Sequence, residues 1–205
     1  MLTTSILAAK LPQALAELRE AESAGADAVE LRLDFLDEPL EALPALLSGC
    51  RLPAVVTFRA AFEQPGRYDG PEDFRLRTLW RAVELGAAFV DVELKAAASF
   101  FAMAPAGWLE MARAERATQE CDSGRTRIIL SSHDYAVTPV LDDLLALHDS
   151  AVRAGADIVK IATTATSILD VGRLETLLSA RRAFPTIALG MGEYGLVRTR
   201  AQRTT

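Results

Sequence analysis

The sequence predicts an α/β fold of the (β/α)8 TIM-barrel type, held in one domain over residues 1–205 and short of the eighth strand and final helix. Three observations lead there. Short apolar runs rich in Val, Ile and Leu alternate with longer segments of helical periodicity. Such runs suit strands buried on both faces of a parallel sheet. Three helical segments stop at a glycine followed by small residues: Gly25-Ala26-Asp27, Gly86-Ala87-Ala88 and Gly155-Ala156-Asp157. A glycine just past a helix end adopts the left-handed backbone that stops the helix. The evenness of this unit, helix then glycine stop then strand, favours a wound barrel over an open sheet.

In chain order, the candidate strands are Ser5–Ala9, Ala28–Phe35, Ala54–Ala60, Phe89–Lys95, Arg127–His133, Ile158–Ala162 and Thr186–Met191. Between them, Pro12–Ala24 carries apolar residues at Leu15, Leu18, Ala21 and Ala24, spaced for one helix face. Asp73–Leu85 does the same with Phe74, Leu76, Leu79, Trp80 and Val83, and Pro139–Ala154 and Leu169–Ala183 follow suit. The strand count is seven, with fourteen residues beyond the seventh, whereas a closed barrel of this type has eight strands and typically ~250 residues.

Composition narrows the function. Half of the residues are hydrophobic and 24% are charged, enough apolar material for a buried core. A formal net charge of −6 disfavours nucleic acid as a partner. No apolar run approaches the ~20 residues that span a bilayer, and Lys10 ends the N-terminal apolar run before it could serve as a signal peptide. Cys50 and Cys121 show no CxxC spacing and are expected to be reduced thiols of a cytoplasmic protein. Nineteen of the 22 basic residues are arginine; the lysines are Lys10, Lys95 and Lys160. Arginine keeps its proton near neutral pH and cannot act as an amine nucleophile. A lysine in such a chain is either a leftover, the reading for Lys10, or a residue that must be an amine, which context argues for Lys160, with Lys95 a second possible amine.

Strand alternation places the candidates. Glu30, Arg32 and Asp34 share one face of the second strand and Val29, Leu31 and Leu33 the other; the charged set is expected to point into the barrel. It is either a structural ion-pair network or a set of polar hooks for a hydroxylated, anionic ligand. Thr57 and Arg59 point inward from the third strand. A loop follows, Glu63-Gln64-Pro65-Gly66-Arg67-Tyr68-Asp69-Gly70, long enough to fold over a barrel mouth. Asp91, Glu93 and Lys95 alternate onto one face of the fourth strand and read as buttresses. His133 closes the fifth strand, at the end where barrels of this type do chemistry. His148, on a helix, is expected at the surface. Lys160 sits mid-strand between Val159 and Ile161. Burial there disfavours the ammonium and would supply a neutral amine able to form an imine. The alternative is a buried lysine paired with Glu30, Asp91 or Glu93.

Six segments resemble the type I 3-dehydroquinate dehydratases in the family's order and at compatible spacing. They are Glu30-Leu31-Arg32-Leu33-Asp34, Thr57-Phe58-Arg59, Asp91-Val92-Glu93, Ser131-Ser132-His133-Asp134-Tyr135, Asp157-Ile158-Val159-Lys160-Ile161-Ala162 and Met191-Gly192-Glu193-Tyr194-Gly195. The resemblance implies a homodimeric barrel of the shikimate pathway that uses no metal or cofactor and acts on 3-dehydroquinate. Lys160 matches the imine-forming lysine, His133 the general acid–base and Glu63 the glutamate that orients it. Glu30, Arg32, Arg59 and Met191 match substrate-binding positions. The family continues its last segment as Gly-x-x-Ser-Arg, whose arginine grips the substrate carboxylate; here the run is Gly195-Leu196-Val197-Arg198-Thr199-Arg200. Thr199 takes the arginine's place, which leaves Arg198 and Arg200 as candidates. With no counterpart to the family's final strand, the expectation is weakened substrate binding. Two other readings share parts of this pattern. One is another Schiff-base barrel, such as a class I aldolase, and the other is a catalytically impaired binding or regulatory domain derived from the dehydratase.

Overall fold

The computed structural model describes residues 2–63, 66–118, 124–197 and 200–202. Cys121, Gln64, Pro65, Arg198 and Thr199 lie outside these residues. The chain forms two compact units, the first Met1–Val92 with Ser99–Arg127, the second Glu93–Ala98 with Ile128–Thr205.

The first unit alternates strand and helix in chain order: β1 (Thr3–Ile6), α1 (Leu11–Ser23), β2 (Ala28–Arg32), α2 (Pro39–Gly49), β3 (Ala54–Thr57), α3 (Glu72–Glu84) and β4 (Phe89–Glu93). Two further helices follow, α4 (Ala97–Phe101) and α5 (Trp108–Thr118). Each strand pairs in parallel with the next, Ser5 beside Glu30, Arg32 beside Thr57 and Thr57 beside Asp91. The helix-facing set is fully enclosed: Val29, Leu31, Val56, Val90 and Val92 are each at most 1% exposed. The polar residues Glu30, Arg32, Thr57 and Asp91 therefore share the opposite face, as the alternation predicts.

The second unit repeats the pattern with β5 (Arg127–Asp134), α6 (Leu141–Ala154), β6 (Ile158–Thr164), α7 (Ile168–Ala180) and β7 (Thr186–Met191). These strands also pair in parallel, Ser131 beside Lys160 and Lys160 beside Ile187. Parallel strands joined in chain order by helices place the chain in the expected (β/α) barrel class. One strand was not anticipated. Arg200–Gln202 forms a short β8 that pairs antiparallel with β7, Ala188 beside Arg200 and Thr186 beside Gln202. Its direction distinguishes it from the eighth parallel strand of a barrel.

The glycine stops have a physical basis. Gly25, Gly86 and Gly155 take φ values of 81°, 77° and 106°, left-handed conformations that a Cβ disfavours. Two of these stops end in Asp, and both aspartates do the same work. Asp27 accepts a hydrogen bond from the N–H of Leu2 at 2.6 Å, and Asp157 accepts one from that of Ile128 at 2.8 Å. Each staples the start of its own strand to the start of the preceding one. α7 opens on a capping box in which Ser167 and Asp170 satisfy each other's backbone N–H groups.

Several expected strands run past their observed ends. β2 stops at Arg32, and Leu33–Phe35 tightens into a 3-10 turn. β4 stops at Glu93, so Lys95 lies on a second such turn, Leu94–Ala96, and is exposed. His148 is also corrected. It is 1% exposed, and its ring meets Phe184 edge-on at 5.8 Å.

Candidate active site

In the first unit the polar face is a chain of linked groups. Glu30 accepts from Ser5 Oγ at 2.8 Å and from Thr57 Oγ1 at 2.9 Å. Both carboxylate oxygens are thereby fixed. Arg32 and Asp34 form a bidentate pair, Nε to Oδ1 at 2.9 Å and Nη2 to Oδ2 at 2.6 Å. The 3-10 turn makes this possible, since it folds Asp34 back over the residue two before it. Burial alone would lower the pKa of Arg32, but the hydrogen bonds and charge of Asp34, with Glu30 nearby, outweigh it and raise the value. Arg59 is 4% exposed, and its Nη2 donates to Asp91 Oδ1 at 2.9 Å. Asp91 thus works as a buttress, as anticipated.

The segment after β3 is tied at its neck. Ala61 N donates to Tyr68 O at 2.7 Å, and Tyr68 N donates to Arg59 O at 3.3 Å. Glu63 lies inside this loop and is 5% exposed. Tyr68 seats the returning chain against Phe58, ring centroids 4.5 Å apart, and against Phe74 at 6.2 Å. Gly66 passes so close to Ala60 that a Cβ there would lie 2.1 Å from its carbonyl oxygen. Arg67 caps the Phe35 ring, its guanidinium 4.0 Å from the centroid.

In the second unit, Lys160 and His133 lie on one face of neighbouring strands. Lys160 is beside Ser131, and His133, two residues on, is beside Ala162. At ~3.3 Å rise per residue and ~4.8 Å between strands, their Cα atoms stand about 8 Å apart, within reach of a lysine and an imidazole acting on one small molecule. Both are half-buried rather than enclosed. Met191 lies beside Thr164 and so points to the same face, further toward the strand ends. Beyond it, the Met-Gly-Glu-Tyr-Gly turn closes on itself. Gly192 takes φ 85°, and a Cβ on Gly195 would lie 1.8 Å from Gly190 O.

A Type I 3-dehydroquinase family model matches residues 2–203. The chain belongs to the type I 3-dehydroquinase family. The family assigns the reaction class, a hydro-lyase acting on 3-dehydroquinate in the shikimate pathway, and sets the aldolase reading aside. The chain is 37% identical over 199 residues to the chloroplastic bifunctional 3-dehydroquinate dehydratase/shikimate dehydrogenase of Arabidopsis thaliana, covering 96% of this chain and 30% of that one. It thus spans less than a third of that relative. It is 37% identical over 190 residues to the 3-dehydroquinate dehydratase of Desulfotalea psychrophila, covering 91% of this chain and 76% of that one. A crystal structure of 3-dehydroquinate dehydratase from Geobacillus kaustophilus HTA426 superposes with a TM-score of 0.75 at 28% identity, covering 96% of this chain and 75% of that one.

For a 3-dehydroquinase reading, the structure groups Glu30, Arg32, Arg59 and Glu63 in the first unit and Lys160, His133 and Met191 in the second. Arg198 lies outside the described residues, and so does the side chain of Arg200. The residues that the sequence reading missed are partners of candidates. Ser5 holds Glu30, and Tyr135 stacks on His133 with centroids 5.7 Å apart and planes 3° apart. Tyr135 carried a readable cue, an aromatic two residues past the strand-end histidine. Ser5 carried none, because its link to Glu30 depends on strand register.

Proposed function

We propose that this chain removes water from 3-dehydroquinate through an imine on Lys160 to give 3-dehydroshikimate. The observation that carries this reading is Lys160 and His133 on one strand face of a type I 3-dehydroquinase chain. In the proposed sequence, Lys160 Nζ adds to the C3 ketone, and loss of water leaves a protonated imine. The imine withdraws electrons from C2, and His133 takes the C2 proton. The electron pair so formed becomes an enamine and then expels the C1 hydroxyl, which leaves as water after taking that proton from His133. Hydrolysis of the conjugated imine returns Lys160 and releases the enone. Glu63 orients the imidazole, and Glu30, Arg32, Arg59 and Met191 hold the substrate. Arg198 or Arg200 receives its carboxylate.

Among the described residues no helix is long and apolar enough to cross a membrane. A cytoplasmic enzyme acting as a homodimer fits this reading. A monomer by sedimentation at assay concentrations would count against the dimer. The reaction is tested by borohydride reduction in the presence of 3-dehydroquinate. A ligand-sized mass should appear on the peptide holding Lys160, alongside a rise in enone absorbance without reductant. A label on Lys95 or Lys10, or no absorbance change, would overturn it.

A further inference from the structure

Arg75 is the largest fully buried side chain of the described residues, with 0% exposure. It lies on α3, outside the group of candidate binding residues. Its guanidinium makes a bidentate contact with Glu72, Nε to Oε2 at 2.7 Å and Nη2 to Oε1 at 2.6 Å, and donates from Nη1 to Phe58 O at 2.7 Å. An apolar side chain of similar volume would fill this space without the cost of burying a charge. What the guanidinium adds is direction, and its Nη1 is aimed at a peptide group.

That group joins Phe58 to Arg59. β3 ends at Thr57, so this peptide lies past the last ladder pair and needs partners of its own. Its carbonyl accepts from Arg75, and its N–H donates to Asp34 Oδ1 at 3.4 Å. Both of those side chains are wholly buried. The peptide plane is therefore held from both sides by charged groups that cannot swing into solvent. Arg59 begins at this plane and ends at Asp91, so its path is fixed at both ends. Without Arg75, the carbonyl loses this donor and the plane is held from its N–H side alone, by Asp34.

We propose that Arg75 is a positioning residue for Arg59, setting the backbone plane from which the Arg59 guanidinium is presented to the substrate. This rests on the reading that Arg59 binds substrate. Displacing Arg59 from a substrate group that it binds by charged hydrogen bonds weakens binding by roughly 10- to 100-fold. The test is a kinetic double-mutant cycle on the full chain with 3-dehydroquinate, using Arg59→Met, Arg75→Met and the pair. Arg75→Met alone should raise KM roughly 10- to 100-fold, and Arg75→Lys, which keeps one donor for the carbonyl, should recover part of that. In the Arg59→Met background, adding Arg75→Met should change KM by less than about twofold, because the group it acts through is gone. Simple loss of folded protein lowers the number of active sites, hence the apparent kcat, and leaves KM in place. An equal KM rise in both backgrounds would overturn the proposal while leaving the role of Arg59 standing. An unchanged KM in Arg59→Met would instead remove the role of Arg59, and the proposal with it. Should Arg75→Met fail to fold, the cycle is run with Arg75→Lys and Glu72→Gln, where the same non-additivity is expected at a smaller factor and additivity is again decisive against it.

Discussion

Lys160 and His133 divide the proposed chemistry between an amine and an imidazole, and each division can be tested alone. Lys160→Arg should be inactive although it keeps the charge, because a guanidinium forms no imine under these conditions. His133→Ala should still trap an imine with borohydride but turn over more slowly by roughly 10²–10⁴-fold, the usual weight of a general acid–base. Near-normal turnover in that variant would refute the proton-transfer role. Glu63→Gln should be milder, since it orients the base and moves no proton. Residue type made these candidates readable: one lysine in mid-strand and one histidine at a strand end. The ion-pair reading of the charged set on β2 holds for Arg32 and Asp34, but its geometry was not readable, since the bidentate contact needs a 3-10 turn where strand alternation predicts extended chain.

Glycines show how the elements are joined, and two kinds can be separated by experiment. Gly25 stands in open space but takes φ 81°. Gly25→Ala should therefore cost only the left-handed backbone penalty, about 1–2 kcal/mol. Gly195 is limited by contact instead, because its Cβ would overlap Gly190 O at 1.8 Å. Gly195→Ala should lower urea stability by about 1–3 kcal/mol and, unlike Gly25→Ala, should also raise KM, since the turn carries Met191. Equal activity in the two variants would break the link between this turn and the site. At this scale the sequence placed all seven parallel strands but overran the ends of β1, β2, β3 and β4 and stopped short of those of β5 and β6. Apolar content continues past the ends of the four overrun strands, while hydrogen-bond pairing does not. The short β8 was invisible because Arg-Ala-Gln has no apolar alternation to read.

Stability of the whole chain should depend on pH through His148. Its ring lies between α6 and β7, with Nε2 3.1 Å from Thr186 Oγ1 and Nδ1 3.2 Å from Asp149 Oδ1. Burial pushes the imidazole below its ordinary pKa, outweighing the Asp149 carboxylate that pulls it upward; Arg181 adds to the lowering. The unfolded chain then takes up a proton at about pH 6.5 that the folded chain does not accept until lower pH. This stabilising contribution is full above that value, is lost as pH falls toward the folded value, and levels off below it. Thermal melts from pH 7.5 to 5 should show a falling midpoint, and His148→Phe should make the decline shallower. Parallel slopes for the two proteins would count against this account. Asp149 is held below its ordinary pKa chiefly by its hydrogen bond to Arg181, so its own titration falls at more acidic pH, outside this window.

The sequence by itself determined the fold class, the order of the parallel strands, the glycine stops and the family to which Lys160, His133 and the Glu30–Asp34 segment belong. Those features are periodic or local, and hydrophobic alternation and residue chemistry report them directly. Tertiary structure alone decided which polar groups hold one another. Ser5 meets Glu30 because parallel pairing sets β1 beside β2 in one register. Arg75 meets the Phe58 carbonyl because α3 packs back on the end of β3. His148 is buried because helix α6 turns that side toward Phe184 and β7. A hydrogen bond forms over about 3 Å, and the sequence separations bridged here, from 17 to 38 residues, carry no periodic trace of such a distance.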